Sequence, residues 1–438
     1  MFTLLIKSNL QFKFILLVCS ILYSQYASAN LLESLIIESI QSHPSVLSTL
    51  ESRETTLVEQ QSARMQFYPT PSIGVNSIYA SSDDSNYQGD DRSWNLSLSQ
   101  PLYTGGRLTA GFRSAKIGVS MSELDVYEAQ ETIALRLVQA YGNWLSARLK
   151  TKAWRGSRAI HDRLKDQVER RVEVGLSPDS DLSLAISRLE STHAEIATLQ
   201  AEQAVAVNNI REILGRDINA QDLTDDLSLL TKDIGKLDQL LQQVHLVSPS
   251  IQRAQYEVDQ SEQNIHLQAA NLRPNIELRL ERQEGSLTTD DSGADNRIFL
   301  NVTSQLGAGL STLNNIKAAK YARRAAMTRV TAQIRLVEQS VRSDYAQAIS
   351  FRDRVRALTR SLASSRQVSE SYERQFPVGR KSWLDVLNSV RDLVGNEVQL
   401  ADAKAAQMVV TWRLAIIARG LSEVLSDYRD ISEGYANE

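Results

Sequence analysis

Cysteine is nearly missing from this chain, with one residue, Cys19, in 438. That residue lies inside a segment that reads as an export leader. Lys7 and Lys13 precede an apolar run from Phe14 to Tyr23, and Ala27-Ser28-Ala29 is a small-x-small cleavage site. Residues 1–29 are therefore expected to be a signal peptide, with Asn30 opening the mature chain. Beyond it no disulfide and no thiolate metal site is possible. Val18 stands before Cys19 where lipid attachment wants a small residue, so cleavage after Ala29 is preferred.

Long hydrophobic runs are also absent. After the leader, no stretch of 18 or more apolar residues occurs, which excludes a membrane-spanning helix. An exported chain of this kind is soluble or enters a membrane as β-strands. Histidines are few and separate, at His43, His161, His193, His245 and His266. No HExxH motif, phosphate-binding glycine loop or Gly-x-Ser-x-Gly elbow occurs. Gly105-Gly106 has no following lysine and suits a strand-to-helix turn. Carboxylates are unclustered. Neither an enzyme, a cofactor nor a metal site is expected. With 48 basic and 52 acidic residues spread evenly, no basic stripe supports nucleic-acid binding.

Proline is scarce, and its placement is informative. The eight prolines fall at 44, 69, 71, 101, 178, 249, 274 and 377. Proline inside a helix costs about 3 kcal/mol. The long proline-free stretches are rich in Ala, Leu, Glu, Gln and Arg, a long-helix composition. Two long helices are predicted, over 107–172 and 313–376, each roughly 100 Å at about 1.5 Å per residue. Shorter helices are predicted near 31–66, 179–214, 236–271 and 382–418. In the first long helix Ala134, Leu137, Val138, Tyr141, Leu145 and Leu149 recur at three-four spacing among polar residues. So narrow an apolar stripe needs lengthwise packing against other helices, as in a bundle or tube.

The chain also repeats itself at a spacing of about 205 residues. His43-Pro44-Ser45-Val46 answers Ser248-Pro249-Ser250-Ile251, Gln100 answers Gln305, and Val174-Gly175 with Asp181 answers Val378-Gly379 with Asp385. The expected organisation is a first repeat over 30–235 and a second over 236–438, the latter with a C-terminal tail. Each repeat carries two segments of strand alternation. They are predicted at about 72–80 and 93–102, and at about 275–283 and 297–306. In the second, Trp94, Leu96 and Leu98 alternate with Ser93, Asn95, Ser97 and Ser99. Such apolar-out, polar-in strands of about ten residues suit a barrel wall in lipid. The alternative is a soluble ribbon packed on the helices. Four strands cannot close a barrel, and an open edge in lipid leaves backbone groups unpaired. If these strands sit in a membrane, several chains must share one barrel, and three would give twelve strands.

Two helix-to-helix turns carry the remaining signal. They run from Arg171 to Asp181 and from Gln375 to Asp385. Gly175 and Gly379 suit the left-handed residue that ends a helix. Ser177 before Pro178 suits a helix start, and Asp181 and Asp385 fall in first turns, where the dipole favours a carboxylate. In a ring of chains the same aspartates would form a charged constriction favouring cations.

The Gln100-Pro-Leu-Tyr-Thr-Gly-Gly-Arg107 segment, the two Val-Gly…Asp turns and the duplication together resemble the TolC family of outer-membrane efflux proteins, along essentially the whole mature chain. The resemblance implies a mainly α fold with a small β part. A long α-helical barrel would carry a twelve-stranded transmembrane β-barrel shared by a homotrimer, with four strands per chain. It implies an outer-membrane location in a Gram-negative bacterium, extending into the periplasm and in contact with outer-membrane lipid. A periplasmic adaptor and an inner-membrane transporter of ABC type would be partners. Residues near 215–240 and the C-terminal tail would form a belt. The implied periplasmic gate comprises Asp181, Phe376, Lys381, Asp385 and Asn388. Phe376, Lys381 and Asn388 replace the archetype's tyrosine, arginine and second aspartate, leaving one carboxylate ring. Adaptor-docking turns would be Val174, Gly175, Leu176, Ser177 and Pro178, with Val378, Gly379, Arg380 and Lys381. The segment from Phe376 to Asn388 looks like that of members serving type I secretion of large adhesins. Small-molecule efflux and a non-channel periplasmic coiled-coil scaffold are the alternatives.

Overall fold

The structure is a computed structural model that describes residues 31–79, 86, 89–225, 234–287, 294–304 and 307–425. The predicted leader, the middle of both strand loops, Gln305, part of the 215–240 belt and the tail beyond 425 lie outside the described residues.

Helices α1 (Leu31–Ser42) and α2 (Pro44–Met65) lead into strands β1 (Thr70–Ser77) and β2 (Arg92–Thr104). Helices α3 (Arg107–Glu173), α4 (Asp179–Leu214), α5 (Leu237–Val247) and α6 (Pro249–Ala270) follow. Strands β3 (Asn275–Glu284) and β4 (Ala294–Thr303) come next. After a 3-10 turn at Ala308–Leu310 come α7 (Ser311–Gln375), α8 (Trp383–Arg419) and a short α9 (Leu421–Val424). Among the described residues no helix is long and apolar enough to cross a membrane.

The single helices expected over 31–66 and 236–271 are each two. Both breaks fall at the duplicated x-Pro-Ser motif. Proline disfavours helical backbone in the residue before it and supplies no N–H, so a new helix starts there. His43 fills the gap at the first break, where its Nδ1 accepts from the Ser45 amide at 3.1 Å. The strands also differ from the alternation pattern. β1 and β4 begin earlier, at Thr70 and Ala294, because ladder pairing continues through polar residues that break the pattern. Arg297, expected to open the last strand, already pairs with Glu281 inside it.

Two compact units are present, and each draws residues from both halves of the sequence. One holds Leu47–Ala129 and Ser248–Val337. Its centre is a four-stranded antiparallel sheet in the order β1-β2-β3-β4. The register sorts side chains cleanly. Ile73 pairs with Leu96, and Pro71, Leu98, Leu280 and Ile298 line up across the sheet. Ser72, Ser97, Glu281 and Arg297 line up on the other face. A bulge between Pro101 and Tyr103 keeps Tyr103 on the apolar face, opposite Ile276. That face is open: Ile73 is 71% exposed, Ile298 74% and Leu300 64%. Pro71 is tolerated because β1 is an edge strand.

The other unit holds the remaining described residues, including all of α4, α5, α8 and α9. Its largest fully buried side chains include Trp144, Tyr141, Ile36, Leu137, Ile210 and Met408. Tyr141 and Trp144 meet edge to face at 5.2 Å, and the Tyr141 hydroxyl donates to the Thr224 carbonyl at 2.6 Å. Buried Asp344 is held by a fork from Arg413, whose Nε lies 2.8 Å from Oδ2.

Candidate functional site

The two long helices end in the same way. Gly175 donates to the Val172 carbonyl and Leu176 to that of Arg171, at 2.9 and 2.7 Å. Gly379 and Arg380 repeat the pattern onto Phe376 and Gln375, at 3.0 and 3.1 Å. Both glycines are left-handed, with φ of +73° and +74°, a conformation that side-chain-bearing residues rarely adopt. These are paired Schellman closures, and each turns the chain sharply into the following helix.

The helix starts differ. Ser382 caps α8, accepting from the Asp385 amide at 3.2 Å. The Asp385 carboxylate accepts in return from the Ser382 hydroxyl at 2.9 Å and amide at 3.2 Å. These bonds, with Lys381 nearby, hold the Asp385 carboxyl below the usual range. In the first turn the serine expected to cap does not. Pro178 occupies the cap position of α4, and no side chain caps that helix. Ser177 lies one residue too early, because Pro178 takes an extended backbone with ψ of 155°. Asp181 then stands third in α4, the position of Asp385 in α8, but without a capping partner. No hydrogen-bonding or ionic partner reaches its carboxylate among the described residues.

Behind the turns lies an apolar cluster. Leu164, Val168, Ala185, Phe376, Trp383, Val386 and Val390 pack together, with Tyr372, Val172 and Leu182 alongside. Phe376, directly before Pro377, is 4% exposed and serves as the core plug of its turn. The Arg171 guanidinium sits 5.2 Å from its ring centroid. Lys381 lies over the Tyr372 ring at 4.1 Å. The structure thus joins Phe376, Lys381 and Asp385 through one turn. Asn388 is a helical turn further along α8 and faces a cavity instead. Arg171, Tyr372 and Trp383 were missed by sequence reasoning. Trp383 directly after the capping Ser382 was a usable signal.

The tips are apolar and open. Val174, Leu176 and Val378 are 67%, 68% and 69% exposed. A Cβ added at Gly175 or Gly379 would meet nothing within 4 Å. No group of His, Cys, Asp or Glu that would hold a metal occurs among the described residues.

Comparisons with known proteins agree with this architecture. The family model for outer membrane efflux proteins matches residues 35–216 and 240–415. The outer membrane protein TolC of Vibrio cholerae is 24% identical over 412 residues, covering 90% of this chain and 91% of that protein. Escherichia coli TolC is 22% identical, covering 87% and 80%. The fold matches that of CusC with a TM-score of 0.77 at 19% identity, covering 90% of this chain and 93% of CusC. It matches the outer membrane protein VceC of Vibrio cholerae with a TM-score of 0.77 at 15% identity, covering 89% and 96%. The chain belongs to the outer membrane efflux protein family: it is an outer-membrane channel protein, not an enzyme.

Proposed function

We propose that three copies of this chain form the outer-membrane duct of a tripartite export machine dedicated to type I secretion of large adhesins. One observation carries the duct: a four-stranded sheet with an exposed apolar face and two open edges. Its order is β1-β2-β3-β4, and every neighbouring pair is antiparallel. An even number of alternating strands lets β4 of one copy meet β1 of the next in antiparallel sense. Lipid requires every backbone group to be paired, so closure between copies satisfies both edges at once. Three copies give twelve strands around a polar lumen faced by residues such as Ser97, Glu281 and Arg297.

The duplicated turns are the docking surface for a periplasmic adaptor, which in turn engages an ABC-type transporter. Their exposed Val174, Leu176 and Val378 offer apolar knobs that rigid Schellman closures hold outward. Asp181, Phe376, Lys381, Asp385 and Asn388 form the gate region. Within it Asp385 and Asp181 occupy equivalent helix positions. Among the described residues the carboxylate of Asp181 has no partner, whereas one oxygen of Asp385 is committed to its cap. The two halves, 30–235 and 236–438, are the products of a duplication whose turns diverged in this respect. The sequence from Phe376 to Asn388 supports the adhesin assignment over small-molecule efflux.

Deleting the gene separates the cargo classes. Loss of a large secreted adhesin with unchanged drug sensitivity is the expected result. Drug hypersensitivity with normal adhesin export would assign the duct to small-molecule efflux. Purification as a soluble monomer would remove the duct itself and favour a scaffold.

A further inference from the structure

Beside the turn cluster, α3, α4 and α8 enclose a cavity of 340 Å³. That lies at the lower end of the roughly 300–1,000 Å³ typical of small-ligand sites. Trp154, Leu184, Leu387 and Val394 supply its apolar wall. Ser157 is 2% exposed, lines the cavity, and has an Oγ without a hydrogen-bond partner among the described residues. A buried hydroxyl left unpaired is unfavourable unless something in the cavity bonds to it. Arg188 and Arg391 add two guanidinium groups. Arg188 has no ion-pair partner among the described residues, and Arg391 has only Asp392 at 3.9 Å. His161 completes the polar side, and burial together with Arg188 pushes its pKa down, so it stands neutral at neutral pH.

We propose that this cavity is a binding site for a small amphipathic anion, an aromatic monocarboxylate, with the carboxylate on Arg188 and Arg391 and the ring against Trp154 and Leu387. The chemistry selects that class. Two guanidinium groups, with Asp392 at 3.9 Å the one ion-pair partner of either among the described residues, call for an anion, and guanidinium matches a carboxylate through paired hydrogen bonds. The volume and the apolar wall call for one ring rather than a long chain.

Gly395 gives a direct way to fill the site. It lines the cavity on α8, and a Cβ there would meet nothing within 4 Å. The test uses purified full-length protein in lipid nanodiscs and fluorine NMR of 4-(trifluoromethyl)benzoate. Saturable binding by the unaltered protein is expected, weakened at least tenfold by Gly395→Leu and by Arg188→Gln. The neutral probe 4-(trifluoromethyl)benzamide should bind at least tenfold more weakly than the benzoate. Absence of saturable binding, equal binding of the two probes, or benzoate binding unchanged in both variants would each overturn the site. Should Gly395→Leu fail to assemble, Arg188→Gln and the benzamide comparison decide alone. Neither arm reads transport, so failure here leaves the duct assignment standing.

Discussion

Gly142 offers a prediction whose sign depends on packing. It sits inside α3, where a glycine is ordinarily a liability. Replacing it by alanine in an unobstructed helix should stabilise by about 0.8–1.0 kcal/mol. Here an added Cβ would fall on Val409 Cγ2 of α8, well inside the 3.0 Å that real Cβ atoms keep. Val409 cannot easily swing away, because β-branched residues in helices hold essentially one rotamer. Overpacking of this kind costs about 1–3 kcal/mol. The net expectation for Gly142→Ala is therefore a loss of about 0–2 kcal/mol. Val409→Ala removes the obstructing methyl, so Gly142→Ala in that background should stabilise by up to about 1 kcal/mol. The coupling between the two sites should be about 1–3 kcal/mol. Denaturant midpoints of the four proteins of the cycle, in one detergent, provide the readout. Stabilisation by Gly142→Ala in both backgrounds, with no coupling, would refute the close approach of α3 and α8.

Other substitutions address the sheet and the turns. Leu98→Arg puts a charge on the sheet's apolar face and should cost about 2–4 kcal/mol if that face meets lipid at mid-depth; Ser97→Arg, on the opposite face, should leave the yield of assembled protein unchanged. Phe376→Ala should cost about 3–5 kcal/mol through the cavity it leaves, seen as a lower thermal midpoint. The lowered pKa of Asp385 sets a pH dependence. Its cap contributes fully above the usual carboxylate range and is lost as pH falls through the lowered value. The difference in melting temperature between the unaltered protein and Asp385→Asn should be constant near neutrality and vanish in strong acid. In planar bilayers, Asp385→Ala should weaken block by multivalent cations, and an unchanged block would remove it from the constriction. Leu176→Asp with Val378→Asp should abolish adaptor cross-linking while leaving the protein assembled.

Much of this protein followed from local rules. Proline scarcity located the two long helices to within a residue or two, because a proline, lacking an N–H and clashing with the turn before it, is excluded from a helix interior. Period-two alternation located four strands, and Gly175 and Gly379 were legible as helix ends because only glycine adopts that backbone cheaply. The same local rules misjudged the start of α4: Pro178 itself took the cap position that Ser177 was expected to fill. Duplication of the x-Pro-Ser motif was visible, yet its effect, a break in each of two helices, was not drawn from it.

Other properties belong to the tertiary structure alone. Which strands neighbour one another is a long-range matter, and the β2–β3 pairing joins residues from the two sequence halves. That pairing sets the register that collects Pro71, Leu98, Leu280 and Ile298 on one face. Asp385 is tied to its cap and Asp181 is not because folding puts Ser382 in one cap position and Pro178, which has no hydroxyl, in the other, both on the same extended backbone. The cavity at Ser157 and the crowding at Gly142 arise from how side chains of α3, α4 and α8 meet. Those contacts depend on shape in three dimensions, whereas hydrophobic periodicity records only which side of an element is apolar.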